Sequence, residues 1–279
     1  MLGQFNYNYN RNVFFNPDVQ HSLTYFESLE NDNPLGYAII NNYRLNFEFP
    51  TDEPDIYEAD SQLLNESIAN GSVMSYVCVA WLLHEIYRKP DVPIPTLIER
   101  NFIKNENMRT IIRNAYIMND VLKTYPTITN EDGIYVYRGE SPHNVTFSNA
   151  LDAGEGNTII LTSFTSTSLN PTVALRFNTA GMFKIHLPMG FILPYVSPNV
   201  EVDCELEVLL PFGMEFRIDS INSQFRLNSG EPIFLIEMTA VDIKPPPKTQ
   251  EHYISVINKF TTSRRILTKK IKDRKLSTF

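Results

Sequence analysis

Apolar positions along this chain change their spacing once, near residue 130. Between Asp60 and Leu122 they recur at three- and four-residue steps, the mark of amphipathic helices. Asp60-Ser61 supplies a cap for a run carrying Leu64, Ile68, Val73, Val77, Ala80, Trp81 and His84, which Gly71 could divide in two. After a Pro-rich break at 90–95, a second run holds Ile98, Phe102 and Ile103. A third holds Ile111, Ile112, Ala115, Ile117, Met118, Val121 and Leu122 and stops before Pro126. The first 59 residues are weakly periodic, with turn signals at Asn33-Pro34 and Glu53-Pro54, and read as an irregular extension with one or two short helices.

Beyond residue 130 the runs become short, β-branched or aromatic, and bounded by Gly, Pro or Asn. Strands are predicted at 134–137, 159–161, 182–185, 206–210, 215–218 and 233–238, with a helical turn or two from Pro171 to Phe177 among them. Helices first and strands afterwards is the α+β order, not the βαβ alternation of a parallel sheet. Pro245-Pro246-Pro247 closes this region. The expected division is an extension at 1–59, a domain at 60–243 with a helical part (60–128) and a β core (129–243), and a tail at 244–279.

Composition agrees with a folded chain: 279 residues, 43% hydrophobic, 12% aromatic and 20% charged. Two cysteines, Cys78 and Cys204, are too few for a disulfide scaffold or a Cys-rich zinc site. The five histidines form no ligand-like cluster with them, so no metal is expected. Residues 1–16 lack an apolar core of signal-peptide length. The longest nearly apolar stretch, Val73 to Leu83, is far shorter than the roughly 20 residues of a spanning helix. The expectation is a soluble protein without a membrane span, cytoplasmic or delivered by a dedicated route.

The net charge of −8 is uneven. Residues 244–279 hold ten Lys/Arg and two acids, a charge of +8; residues 1–243 hold 14 basic and 30 acidic side chains, a charge of −16. An acidic body argues against nucleic-acid binding, which needs a basic surface. The basic tail could contact an anionic partner, a membrane surface or the acidic body, or could be a solvated helix.

Three segments could carry chemistry. Tyr137-Arg138-Gly139 ends a predicted strand, where a guanidinium beside accessible backbone suits a phosphate, although a surface ion pair is the commoner use. In Phe164-Thr165-Ser166-Thr167-Ser168, alternation puts Ser166 and Ser168 on one face and the threonines on the other. An ordinary Thr-rich strand would look the same. In Glu205-Leu206-Glu207, strand spacing would put both carboxylates on one side, about 6.5–7 Å apart, with Leu206 turned into the core. A solvated acidic edge is the alternative, less comfortable beside Val208-Leu209-Leu210-Pro211.

In this order, from Gly133 to Ile218, the three segments resemble the Arg-Ser-Glu class of mono-ADP-ribosyltransferases, which includes arginine-modifying bacterial toxins and vertebrate ecto-enzymes. The resemblance implies the ADP-ribosyltransferase fold, with N-terminal helices packed on a two-sheet, mostly antiparallel β core. It implies NAD as co-substrate and a target protein with an accessible arginine as partner. By similarity Arg138 would hold the NAD pyrophosphate or adjacent ribose, and Gly139 would bond the nicotinamide amide through its backbone. Phe177 would lie against the nicotinamide or simply pack in the core. Ser166 would orient Glu207, the catalytic carboxylate, and Glu205 would select arginine as acceptor. The loop 197–204 departs from the family in carrying no aromatic residue; the nearest is Tyr195. Its acids Glu201 and Asp203 suggest a basic target surface. An NAD glycohydrolase, or a catalytically silent binding module on the same fold, are the alternative functions.

Overall fold

The structure, a computed structural model, describes residues 15–45, 117–140, 145–161, 164–176, 181–196, 206–226 and 232–243. All of these except Ile117 belong to one compact unit built from residues 1–48 and 118–244. The helices expected at 60–84 and 98–103, most of the third helical run, and the tail lie outside the described residues. Residues 117–122 of that third run are helical.

The stretch expected to be an irregular extension with one or two short helices holds α1 (Pro17–Asp32) and α2 (Pro34–Leu45). Asn16 starts α1 by accepting the Asp18 N–H on its side chain at 2.9 Å, and Pro17 occupies a first-turn position where no N–H is needed. Asp18, Val19, Ser22, Phe26 and Leu29 form its buried stripe. Asn33 ends α1 through its N–H to the Leu29 carbonyl and then caps α2, accepting the Gly36 N–H at 3.1 Å. Phe26 and Tyr37 pack their rings across the two helices at 5.3 Å.

Among the described residues seven strands follow: β1 (Ile134–Glu140), β2 (Thr158–Ile160), β3 (Thr165–Ser168), β4 (Gly181–Leu187), β5 (Glu207–Leu210), β6 (Met214–Arg226) and β7 (Pro232–Ile243). Helices α3 (Val145–Ala153) and α4 (Pro171–Arg176) lie between them in sequence. The sheet order is β2-β6-β7-β4-β1-β3-β5, antiparallel throughout except for the parallel pair β4/β7. The fold is α+β. The two sheets expected from the sequence are joined here into one ladder, through the single register pair Tyr137↔Ser168 of β1 and β3. Elsewhere β1 pairs along its whole length with β4, and β3 along its whole length with β5.

One face of the sheet is the main core. Ile134 and Val136 of β1, Phe183, Ile185 and Leu187 of β4, Phe216 and Ile218 of β6, and Ile236, Met238 and Ala240 of β7 are all buried there, with Phe147 and Ala150 of α3. On the other face α4 covers Tyr137 and Met182 with Ala174 and Leu175. Further along that face Tyr135 stays 40% exposed, stacked on His186 at 4.8 Å with the Lys184 ammonium over its ring. Gly133 makes the turn into β1 at φ 67°, where a side chain would meet the Leu187 carbonyl at 2.5 Å.

Helix α1 is tied to the edge of the sheet. The Ser22 hydroxyl donates to the Leu193 carbonyl and accepts the Tyr195 N–H at 3.0 Å. The segment held in this way runs along the outer edge of β5. Val196 N–H donates to the Glu207 carbonyl and Leu209 N–H to the Pro194 carbonyl, both at 3.0 Å. Edge strands with open hydrogen-bonding groups invite mispairing, and this segment satisfies the edge of β5. A second tie, from Asp18, holds residues 129–130, which lead into β1: its carboxylate accepts Thr129 N–H, Thr129 Oγ1–H and Asn130 N–H at 2.9, 2.6 and 3.1 Å.

Candidate active site

The adjacent strands β1, β3 and β5 bring Arg138, Ser166 and Glu207 to a common point. Arg138 comes from β1, in register with Phe183 of β4. Its Nη1 donates to the Ser166 carbonyl at 2.8 Å, a bond that crosses from β1 to β3 close to the single pair joining the two halves of the sheet. Ser166 then turns its hydroxyl to β5 and donates to Glu207 Oε1 at 2.5 Å. In the β3/β5 register Glu207 stands opposite Ser168, so Ser166 is its diagonal neighbour two residues along. A glutamate side chain is long enough to span that diagonal.

The residue directly opposite has a different task. The Ser168 hydroxyl accepts the Asn170 N–H at 2.9 Å. The Asn170 side chain accepts the Thr172 N–H at 3.0 Å, and its carbonyl accepts the N–H groups of Val173 and Ala174. With Pro171 in the first turn, Ser168-Leu169-Asn170-Pro171 is a local start signal for α4. Thr165 and Thr167 are buried, and Thr167 Oγ1 donates to the Val208 carbonyl at 2.6 Å. The alternation therefore separates hydroxyls by use: Ser166 serves Glu207, while Thr167 ties β3 to β5.

Glu207 is the first residue of its strand. Leu206, just before it, has φ 48°, the left-handed region that favours glycine and strains a leucine. Its side chain is nonetheless buried, as expected, at 2% exposure, and its carbonyl accepts the Leu169 N–H at 3.0 Å. The strand β5 thus begins directly after a left-handed residue. Glu205 and Phe177 lie outside the described residues, as does the loop 197–204 with Glu201 and Asp203. Tyr195 is a core residue, 1% exposed and bridged to Val208.

A second acidic residue at this point had no place in the sequence reading. Glu140 sits two residues after Arg138, on the same face of β1, and its Oε1 accepts from Arg138 Nε at 2.5 Å. Its side chain is only 4% exposed, against 19% for Arg138. Burial pushes the Glu140 carboxyl above its ordinary value, and the Arg138 guanidinium pulls against that shift without cancelling it. The sequence signal was an acid two residues from the arginine in Arg138-Gly139-Glu140, opposite charges at strand spacing.

Comparison with known proteins bears on this arrangement. The family model for the ADP-ribosyltransferase exoenzyme matches residues 98–241, just over half of the chain and all three of the strands that carry Arg138, Ser166 and Glu207. The chain belongs to the ADP-ribosyltransferase exoenzyme family. No curated protein sequence matches it. Among solved structures, the chain is similar to C3larvin toxin, an ADP-ribosyltransferase from Paenibacillus larvae, at 17% identity over 62% of this chain and 96% of that one, TM-score 0.35. It is also similar to BECa, an ADP-ribosylating toxin of a binary enterotoxin of C. perfringens solved with NADH, at 19% identity over 66% and 48%, TM-score 0.40. A third is the ADP-ribosyltransferase Vis in complex with agmatine, at 20% identity over 76% and 86%, TM-score 0.38. The membership rests on the sequence match.

ADP-ribosyltransferases of the exoenzyme family carry out NAD-dependent mono-ADP-ribosylation, so this chain is a transferase whose donor substrate is NAD. Among the described residues no group of three or more His, Cys, Asp or Glu could hold a metal ion. No helix among them is long and apolar enough to cross a membrane.

Proposed function

We propose that this ADP-ribosyltransferase modifies arginine side chains of a target protein, with Arg138, Ser166 and Glu207 as its central residues. The observation that supports this reading most is the continuous bonding from Arg138 through Ser166 to Glu207 across three strands. A transferase of this kind must break the bond between ribose C1′ and the nicotinamide nitrogen, whose electron pair leaves with nicotinamide. Positive charge then spreads over the ribose as an oxocarbenium ion. A carboxylate fixed nearby stabilises that charge more than it stabilises bound NAD.

Glu207 takes that role, bonding the ribose 2′-hydroxyl, and Ser166 keeps its carboxylate in one orientation. Arg138 binds the NAD pyrophosphate or the adjacent ribose through its planar fork. The Gly139 backbone bonds the nicotinamide amide, and Phe177 provides an aromatic surface for the ring. Glu205 docks the incoming guanidinium and takes a proton as the new C1′–N bond forms, because a protonated guanidinium is a poor nucleophile. The loop acids Glu201 and Asp203 favour a basic target surface.

Two assays on wild type, Glu205→Gln and Glu207→Gln test this reading. One follows nicotinamide release from NAD, the other ADP-ribose transfer to agmatine. The expected result is both activities in wild type, release without transfer in Glu205→Gln, and neither in Glu207→Gln. Release without any transfer to agmatine by wild type would replace the arginine reading with a glycohydrolase or another acceptor.

A further inference from the structure

A buried carboxylate beside an arginine is a poor device for holding a fold together. Removing both charges from water is costly, and apolar replacements of such pairs are often neutral or stabilising. Glu140 nevertheless continues the core-facing row of β1 after Ile134 and Val136, opposite Gly181 on β4. Its Oε1 receives Arg138 Nε, while the Ser166 carbonyl receives Arg138 Nη1. A guanidinium is planar, so two acceptors on different strands leave it little freedom to rotate or tilt. Without Glu140, Arg138 would keep one neutral carbonyl partner among those contacts and a half-buried charge.

We propose that Glu140 is a positioning residue: it fixes the plane of the Arg138 guanidinium so that Arg138 meets the NAD pyrophosphate or ribose preorganised. This rests on the reading of Arg138 as an NAD-binding residue. Preorganised donors save the reorganisation that a free arginine would undergo on each binding event. The effect of losing Glu140 therefore falls on NAD affinity through Arg138, more than on the chemical step at Glu207.

The test compares wild type, Glu140→Ala, Glu140→Gln, Glu140→Met, Arg138→Ala and the double variant Arg138→Ala/Glu140→Ala. Nicotinamide release is followed against NAD concentration, together with direct binding of ADP-ribose and of nicotinamide. Glu140→Ala is expected to raise the KM for NAD and weaken ADP-ribose binding by about 10- to 100-fold, the scale of one charge-assisted hydrogen bond, with nicotinamide binding unchanged. Glu140→Gln, which keeps an acceptor at the same reach, should restore most of that affinity. Glu140→Met, which keeps the side-chain volume without an oxygen acceptor and should show the same loss as alanine, carries the test if the alanine variant fails to fold. In the Arg138→Ala background the Glu140→Ala change should add less than about twofold, because its partner is gone. A lower unfolding temperature with unchanged KM, or an undiminished effect in the Arg138→Ala background, would overturn the proposal. Wild type that neither binds ADP-ribose nor releases nicotinamide would remove the reading of Arg138 itself, and the two failures are told apart by the wild-type activity.

Discussion

Ser166→Ala removes one hydroxyl and almost nothing else. The Ser166 carbonyl still accepts from Arg138, the neighbouring tie from Thr167 to Val208 is untouched, and alanine leaves no sizeable cavity. What disappears is the donor to Glu207 Oε1. A hydrogen bond to a charged, partly buried acceptor is worth about 1.5–3 kcal/mol. If that bond holds Glu207 where charge develops on the ribose, its loss appears in the barrier, and each 1.36 kcal/mol is tenfold in rate. The expected fall in kcat for nicotinamide release is therefore about 10- to 150-fold, with the KM for NAD nearly unchanged. Glu207→Gln should fall further, since it removes the negative charge itself. The assay is initial rate against NAD concentration for the three proteins, with thermal unfolding alongside. A kcat for Ser166→Ala within about twofold of wild type would refute the orienting role of Ser166.

Two further outcomes follow from the packing. Asp18 lies in a buried position whose desolvation would raise its pKa, but the bonds from Thr129 and Asn130 and the nearby His21 outweigh it and hold the carboxyl below its ordinary value of 3.8. A depressed folded pKa gives stability that is fully present above the unfolded value and is lost as pH falls through the folded one. Asp18→Asn should therefore destabilise the protein by about 1–3 kcal/mol at pH 7 and lose less stability than wild type below pH about 4. Unfolding temperatures that run parallel from pH 7 to pH 3 would contradict this. Gly181→Ala places a Cβ 2.2 Å from the Phe147 ring and 2.9 Å from the Phe234 carbonyl, so Phe147 must leave its edge contact with Phe183. A destabilisation of about 1–3 kcal/mol is expected, read by chemical denaturation, and a stability equal to wild type would show that the ring gives way freely.

The placement of α1 links the fold to the site. Asp18 and Ser22, on one helix face, hold the segments that lead into β1 and flank β5, the strands of Arg138 and Glu207. This helix thus restrains both ends of the candidate site from outside the three polar segments that form it. That role was invisible in its weak periodicity, because two of the five buried positions in the stripe of α1 are polar. Their value lies in partners more than a hundred residues away.

By itself the sequence determined what depends on near neighbours. The strand segments, the helical turn after Asn170 and the turn at Gly133 follow from alternation, caps and glycine, all of which act within a few residues. The three polar segments and their order were equally visible, and they are the basis of the resemblance. Only the tertiary structure decided which strands became neighbours. Ser166 meets Glu207 across 41 residues, and β4 and β7 run parallel, through register that no local pattern contains. It decided that Glu140 is buried against Arg138, since burial depends on what Gly181 and the core leave room for. It also decided the left-handed backbone of Leu206, a buried residue whose carbonyl accepts the Leu169 N–H, at a point where the sequence reads as plain strand. Local preferences are worth tenths of a kcal/mol per residue, and packing contacts several times that, so where the two conflict the tertiary contacts prevail.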